Sequence, residues 1–147
     1  MPNERFLLYK NFKEVSLTEF YKLLVNQEYK FTTDSRTISE GCIFFALKGE
    51  NFNGNTFANK ALDQGAAYAV VDEQIGDDDR FIQVDNVLTY MQEVARFHRK
   101  CYDIPVLGIC GSNGKTTTKN LIFNVVAKKH KTHCTQGNFN NHIGVPI

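Results

Sequence analysis

A short glycine-containing loop constrains this chain more than any other feature of its sequence. The segment Gly111-Ser112-Asn113-Gly114-Lys115-Thr116 follows an apolar run at 106–110 and precedes residues with helical apolar spacing at 121–126. A strand that passes through a glycine turn into a helix leaves several backbone N–H groups without partners near the positive end of the helix dipole. Anions bind at such a position, so the loop predicts a phosphate site.

Each residue type in this loop suits phosphate binding. Gly111 and Gly114 permit backbone angles and close approaches that a side chain would prevent. Lys115 can reach the terminal phosphates of ATP, and the Thr116 hydroxyl can ligate a phosphate-bound Mg²⁺, which makes these two the candidate catalytic residues and Thr116 the candidate metal ligand. The predicted ATP-binding residues are Gly111, Ser112, Asn113, Gly114, Lys115, Thr116 and Thr117.

The loop is a variant of the strict phosphate-loop pattern G-x-x-x-x-G-K-[ST]. Position 109 is Ile, and the nearest glycine, Gly108, comes one residue too early. The alternative interpretation is a glycine-rich turn followed by a solvated lysine. The flanking apolar run, the flanking helical pattern and the threonines at 117 and 118 favour phosphate binding.

Charge and hydropathy narrow the range of partners. Seventeen basic and sixteen acidic side chains give a net charge of +1, and no basic cluster is long enough to neutralise a run of nucleic-acid phosphates. No apolar run approaches the roughly 18 residues of a membrane span, and residues 1–10 do not form a signal peptide. The four cysteines form no C-x-x-C pair and are interpreted as small buried hydrophobes in a reducing compartment. We therefore expect a cytoplasmic protein that binds neither nucleic acid nor membrane.

The first part of the chain has the pattern of a small α/β module. Ser16-Leu17-Thr18-Glu19 is a capping box, which predicts a helix start. Apolar runs predict buried strands at 42–47, 67–71 and 81–84, with a helix at 57–62 between the first two. Strands that alternate with helices indicate a parallel sheet.

A second α/β pattern follows. An amphipathic helix at 87–98 is interpreted as a connector, and the pattern restarts with a buried strand at 106–110, the glycine loop, a helix and a candidate strand at 131–135. One βαβ unit cannot cover both faces of a parallel sheet, so we expect the second domain to be cut off. The predicted fold class is α/β, a small N-terminal α/β domain followed by the first βαβ portion of a phosphate-loop ATP-binding domain, and the resemblance given below implies that the N-terminal domain is a substrate domain. Its predicted divisions are an N-terminal domain at 1–84, a connecting helix at 85–104 and a truncated ATP-binding domain at 105–147.

Three segments carry a resemblance to a known family. Residues 107–118, LGICGSNGKTTT, resemble the ATP loop of the Mur ligases, which build the peptide stem of bacterial peptidoglycan, and folylpolyglutamate synthases share that loop. Asp34-Ser35-Arg36 and residues 41–71 are similar to the uridine-nucleotide-binding N-terminal domain of Mur ligases, which the folate enzymes lack. Residues 135–146 are similar to the G-N-x-N-N-x-I-G-x-P stretch of the family member that adds D-alanyl-D-alanine.

The resemblance implies an ATP-dependent amide ligase with ATP and Mg²⁺ as cofactors. It would join UDP-N-acetylmuramoyl-tripeptide to D-alanyl-D-alanine through an acyl phosphate, and we expect it to be a monomer. Because the family's ATP domain continues past position 147, the 147-residue chain alone is expected to be inactive. The alternatives are the family member that adds the third stem residue, or a non-catalytic module that binds a nucleotide or a UDP-sugar.

The resemblance also implies substrate-binding residues. The planar guanidinium of Arg36 matches a diphosphate or a uracil carbonyl, although a turn with an Asp34 cap is the alternative. Where the family commonly has D-G-H, this chain has Asn53-Gly54-Asn55, so a carboxylate and an imidazole are absent. The predicted substrate-binding set is Ser35, Arg36, Lys48, Asn53, Asn138 and Asn141.

Overall fold

The computed structural model of the chain describes residues 15–135 and 141–146. The chain divides into two compact units, Met1–His98 and Arg99–Ile147. Among the described residues, no helix is both long enough and apolar enough to cross a membrane.

The first unit alternates helices and strands. Its elements are α1 (Leu17–Asn26), β1 (Phe31–Thr32), β2 (Ile43–Phe45), β3 (Lys48–Gly49), β4 (Phe52–Asn53), a 3₁₀ turn (Gly54–Phe57), α2 (Ala58–Asp63), β5 (Tyr68–Val71), β6 (Phe81–Gln83) and α3 (Val87–Lys100), whose last two residues belong to the second unit. The capping box at the start of α1 is confirmed, because the Glu19 N–H donates to Ser16 Oγ and the Ser16 N–H donates to Glu19 Oε2.

Four parallel strands form the main sheet, in the order β1-β2-β5-β6. The predicted strands at 42–47, 67–71 and 81–84 correspond to β2, β5 and β6. Because all four strands run in one direction, the segments that follow them emerge at the same edge of the sheet. A separate antiparallel hairpin, β3–β4, lies between β2 and α2 in the chain.

Helices cover both faces of the sheet. Alternate strand residues, among them Phe44 and Val71, pack with Ala61 and Leu62 of α2 in one apolar cluster. On the other face, the Phe20 ring of α1 lies 5.9 Å from the Phe45 ring. The described residues therefore form α/β/α layers, as expected for a parallel sheet.

Among its described residues, the second unit contains one long helix, α4 (Lys115–Val126). The prediction of a buried strand at 106–110 is wrong, since these residues have no strand structure and Val106 and Leu107 are exposed. The candidate strand at 131–135 is also absent. A strand needs a neighbour to bond its N–H and C=O groups, and the described residues of this unit contain none.

The cysteines differ from the expectation of burial. Cys42 is buried in the apolar cluster beneath α2, whereas Cys101 and Cys110 are exposed and Cys134 is half-buried. The burial of Cys42 follows from its place directly before β2, while the other three lie in the second unit, whose described residues form no sheet.

Candidate functional site

The predicted phosphate loop forms a turn at the N-terminus of α4. Gly114 occupies the N-cap with φ of 75°, a left-handed conformation in which an L side chain is strained. The Thr118 N–H donates to the Gly114 carbonyl at 2.9 Å and makes the first turn of the helix. The N–H groups before Thr118 have no intrahelical acceptor, and no side chain caps this helix start.

Charge at the loop favours an anion. The Lys115 ammonium donates to the Gly111 carbonyl at 2.6 Å and to the Ser112 carbonyl at 3.3 Å, so it lies over the loop. The first turn of α4 carries no acidic side chain. A Cβ atom added to Gly114 would meet no other atom within 4 Å, so the loop is open to a ligand. Backbone N–H groups, a helix dipole and an ammonium therefore converge on one accessible point.

The loop offers one hydroxyl that a metal ion could use. Thr116 is exposed at the second position of α4, and Thr117 is exposed beside it. Within residues 15–135 and 141–146, no group of three or more His, Cys, Asp or Glu side chains is arranged to hold a metal. A metal ion at the loop would therefore take the Thr116 hydroxyl together with phosphate oxygens.

A second candidate site lies at the carboxyl edge of the sheet in the first unit. Ligands of open parallel sheets commonly bind outside the carboxyl ends of the strands. A cleft of about 280 Å³ is found there, lined by Thr33, Asp34, Ser35, Arg36, Phe44, Phe52, Gly54 and Phe57. The structure thus brings the predicted residues Ser35 and Arg36 to one cleft.

Asp34 and Arg36 form a closed turn on this cleft. The Arg36 backbone N–H donates to Asp34 Oδ1 at 2.9 Å, and Arg36 Nη2 donates to Asp34 Oδ2 at 2.6 Å. Asp78 and Arg80 form the same turn, with corresponding distances of 2.9 and 2.6 Å. The alternative of an Asp34-capped turn is therefore correct for the local conformation. The Arg36 side chain is nevertheless 86% exposed, against 47% for Arg80, so much of its guanidinium remains accessible.

This repeated turn provides a titration test. Hydrogen bonds from the Arg36 side chain lower the pKa of Asp34 from 3.8 to about 2, and Arg80 does the same for Asp78. We expect Arg36→Ala to raise the pKa of Asp34 toward 3.8 and to leave that of Asp78 near 2, as measured by carboxylate carbon shifts in a pH titration.

The matched control, Arg80→Ala, is expected to have the reverse effect. A depressed carboxyl pKa stabilises the fold above the unfolded pKa, so this contribution is present above about pH 4 and is lost as pH falls toward 2. An Asp34 pKa that is unchanged in Arg36→Ala would contradict the paired geometry.

Lys48 and Asn53 lie together in a neighbouring polar cluster. The Lys48 ammonium is 2.8 Å from Asp72 Oδ1 and 2.9 Å from Glu73 Oε1. The Asn53 amide donates to both Glu73 carboxylate oxygens, at 3.0 and 3.1 Å. These contacts raise the pKa of Lys48 above its usual value and lower that of Glu73. The two predicted residues are thus hydrogen-bonded to carboxylates that directly follow β5.

Asn55 is the buried member of this polar cluster. It is 1% exposed, and its amide donates to Asp72 Oδ1 at 2.8 Å and to Asn53 Oδ1 at 2.9 Å. Its own oxygen accepts the Asp72 N–H at 3.1 Å. Asn55, at the position where the resemblance implies an imidazole, is therefore a fully buried link between the 3₁₀ turn and the end of β5.

The remaining predicted residues belong to the second unit. Asn141 Oδ1 accepts the N–H groups of Ile143, at 3.2 Å, and Gly144, at 2.6 Å, which makes it a turn former. Asn138 lies outside the described residues.

Sequence reasoning missed several side chains of the candidate site. Phe52 and Phe57 line the cleft, and Asp72 and Glu73 hold Lys48. The available signal was position, because Asp72 and Glu73 directly follow a buried strand that neighbours another parallel strand. Nothing in the local pattern marked the two phenylalanines.

Comparisons with known proteins find a family match in each of the two units. Residues 109–147 match the model of the Mur ligase middle domain, and residues 29–99 match that of the Mur ligase family, catalytic domain. The chain is 38% identical over 133 residues to the UDP-N-acetylmuramoyl-tripeptide--D-alanyl-D-alanine ligase of Bacillus subtilis (strain 168), covering 84% of the chain and 29% of that relative. For the ligase of the same name from Escherichia coli (strain K12), the identity is 35%, over 79% of the chain and 26% of the relative.

A solved structure is similar as well. A MurF ligase from Thermotoga maritima, in complex with ADP, matches with a TM-score of 0.75 and 32% identity over 80% of this chain and 27% of that one. The chain thus spans between a quarter and a third of the length of the relatives that it matches.

Proposed function

The chain belongs to the Mur ligase family, whose members are ATP-dependent peptide ligases, and we propose that it forms part of the ligase that joins D-alanyl-D-alanine to UDP-N-acetylmuramoyl-tripeptide. The observation that carries this proposal is the open, positively charged loop at the start of α4, in a chain whose relatives have that name. In this proposal residues 1–84 bind the UDP-linked substrate and residues 105–147 begin the ATP-binding domain. Residues 85–104 form the helix that connects these two domains. The reaction takes place in the cytoplasm, and the protein acts as a monomer.

The loop residues bind and orient the nucleotide in this proposal. ATP supplies the phosphoryl group that activates the carboxylate of the tripeptide for attack by the amine of D-alanyl-D-alanine. Lys115 offsets the negative charge that keeps a carboxylate and a triphosphate apart, and the backbone N–H groups of residues 111–117 orient the phosphates. The Thr116 hydroxyl would hold Mg²⁺, which would offset the negative charge of the phosphates. The ADP in the Thermotoga structure supports nucleotide binding by this family.

The cleft at the carboxyl edge of the sheet binds the UDP end of the other substrate. Arg36 is exposed at this cleft, and a guanidinium pairs with a diphosphate through parallel N–H···O bonds. Ser35 adds a small hydroxyl beside it. Lys48 and Asn53 belong to the same region of the sheet edge, and Asn138 and Asn141 are proposed to orient the substrate in the ATP-binding part.

Assays of the complete protein test this function. ADP release that requires both UDP-N-acetylmuramoyl-tripeptide and D-alanyl-D-alanine is expected, and ADP release driven instead by a third-residue amino acid would assign the chain to the other ligase. The coding sequence decides between a ligase and a non-catalytic UDP-sugar-binding module. A stop codon directly after Ile147 would favour the binding module.

Arg36→Ala is expected to raise the KM for the UDP-linked substrate and to leave the KM for ATP nearly unchanged, because only one ground-state contact is lost. A charge-assisted hydrogen bond contributes about 1.5–3 kcal/mol, so the increase should be tenfold to roughly a hundredfold. Arg80→Ala removes the same type of turn outside the cleft and should leave both KM values unchanged. Equal weakening of both substrates in Arg36→Ala would instead assign Arg36 to support of the fold.

A further inference from the structure

Asp72 holds a nearly buried carboxylate directly after β5, where three other elements contact it. Its side chain is only 6% exposed. Oδ1 accepts hydrogen bonds from the Lys48 ammonium of β3 and from the Asn55 amide of the 3₁₀ turn, each at 2.8 Å. Oδ2 accepts the backbone N–H of Val87, the first residue of α3, at 3.4 Å. One carboxylate thus joins the hairpin, the 3₁₀ turn and the start of α3.

The contact between Asp72 and α3 is the weakest of the three. Its 3.4 Å exceeds the ~2.9 Å that is usual for an N–H···O hydrogen bond. Asn86 already caps the helix, because its Oδ1 accepts the Thr89 N–H at 2.8 Å. A carboxylate beside a helix N-terminus is nevertheless attracted by the helix dipole. The bond from Val87 to Asp72 can therefore shorten when Lys48 holds the carboxylate less strongly.

The ammonium that shares this carboxylate with α3 is accessible from solvent. The Lys48 side chain is 42% exposed and also lies 2.9 Å from Glu73 Oε1. Lys48 and Glu73 line an open surface depression of about 460 Å³. An anion can therefore draw the ammonium away, while the buried Asp72 carboxylate stays in place. A buried charge that loses its cation depends on its remaining donors, which are the Asn55 amide and the Val87 N–H.

We propose that Asp72 couples the hairpin to α3, so that an anion that draws Lys48 away leaves the carboxylate to the N-terminus of the helix. For the identity of that anion, a phosphate of the UDP-linked substrate, the inference rests on the proposed function. It deepens that function, because residues 85–104 form the connecting helix there. The two states differ in the partner of one carboxylate, and this difference in contacts is what a coupling between two sites requires.

Two substitutions with opposite effects test the coupling in the 147-residue chain. Lys48→Met frees the carboxylate from the ammonium, so the Val87 amide proton is expected to move downfield as its hydrogen bond shortens. Glu73→Gln leaves the Lys48 ammonium to Asp72, so the same proton should move upfield. Lys60→Met removes an equal charge from the exposed side of α2 and should leave the Val87 signal in place. Circular dichroism establishes that each variant is folded.

Asp72→Asn should abolish both responses. The amide keeps the shape of the side chain but not its charge, so Lys48→Met and Glu73→Gln are expected to leave the Val87 signal unmoved in that background. The Tyr90 amide makes the first intrahelical hydrogen bond of α3, and its hydrogen exchange should be about two- to fivefold faster in Asp72→Asn. Shifts of the same sign in Lys48→Met and Glu73→Gln, or no shift in either, would overturn the coupling and leave Asp72 as a fixed cap.

Titration with UDP separates this inference from the function on which it rests. With UDP bound, the Val87 amide signal should move in the same direction as in Lys48→Met, and Asp72→Asn should abolish that movement while the amides of residues 34–37 still respond. A response at 34–37 with an unmoved Val87 signal would overturn the coupling and leave the UDP site intact. No response at 34–37 with saturating UDP would overturn the proposed site, whereas the opposite shifts in Lys48→Met and Glu73→Gln would still establish the link between the hairpin and α3.

Discussion

Under the proposed ligase function, Lys115→Ala in the complete protein is expected to reduce amide formation by at least about a hundredfold while leaving the first unit folded. The ammonium is held over the loop by the carbonyls of Gly111 and Ser112, where a triphosphate would replace those contacts. Loss of a positioned positive group that meets charge developing in the transition state costs on the order of 10²–10³ in rate. The measurement is steady-state ADP release, together with thermal unfolding of each variant.

A second lysine on the same helix is the control for charge. Lys119 lies one turn further along α4, and its ammonium donates to the Thr135 carbonyl at 2.5 Å. Lys119→Ala removes the same charge from α4, yet it should leave ADP affinity and turnover within a few-fold of the wild-type values. Near-normal activity of Lys115→Ala would show that Lys115 takes no part in the reaction. Equal losses of activity in Lys115→Ala and Lys119→Ala would indicate a general effect of charge.

Local signals in the sequence predict most of the first unit. The capping box depends on side chains three residues apart, and the apolar runs of β2, β5 and β6 are buried wherever a parallel sheet forms. The glycine loop is equally local, since Gly114, Lys115 and the start of α4 follow one another in the chain. Each of these features can be predicted without knowing which distant residues it contacts.

The features that sequence reasoning missed depend on such partners. Asn55 and Asp72 are seventeen residues apart and meet only because β2 and β5 are neighbours in the sheet. Phe52 resembles any strand residue until the hairpin turns its ring over Gly49. The failed strand at 106–110 has the same cause, because its apolar pattern is that of a buried strand but the described residues of its unit supply no strand to pair with.

Gly54→Ala is expected to destabilise the first unit by about 3 kcal/mol, the upper end of the usual cost of overpacking. Its added Cβ atom would lie 2.4 Å from the Leu47 carbonyl oxygen and 2.7 Å from the Ala46 carbonyl carbon. Both atoms belong to the backbone that leaves β2, so no side chain can rotate away to make room. Gly54 also donates its N–H to the Leu47 carbonyl at 2.9 Å, a bond that any displacement would break. Urea denaturation followed by circular dichroism measures the change.

Gly76→Ala is the matched substitution for this test. A Cβ atom at Gly76 would lie 3.8 Å from its nearest neighbour, Cε2 of Phe81, which is an ordinary van der Waals contact. The alanine there should be neutral or should stabilise the chain slightly by restricting its unfolded state. Gly54 also lines the cleft that contains Arg36, so under the proposed function its replacement should weaken UDP binding as well as stability. A Gly54→Ala chain with wild-type stability would contradict the close packing of the 3₁₀ turn against the backbone that leaves β2.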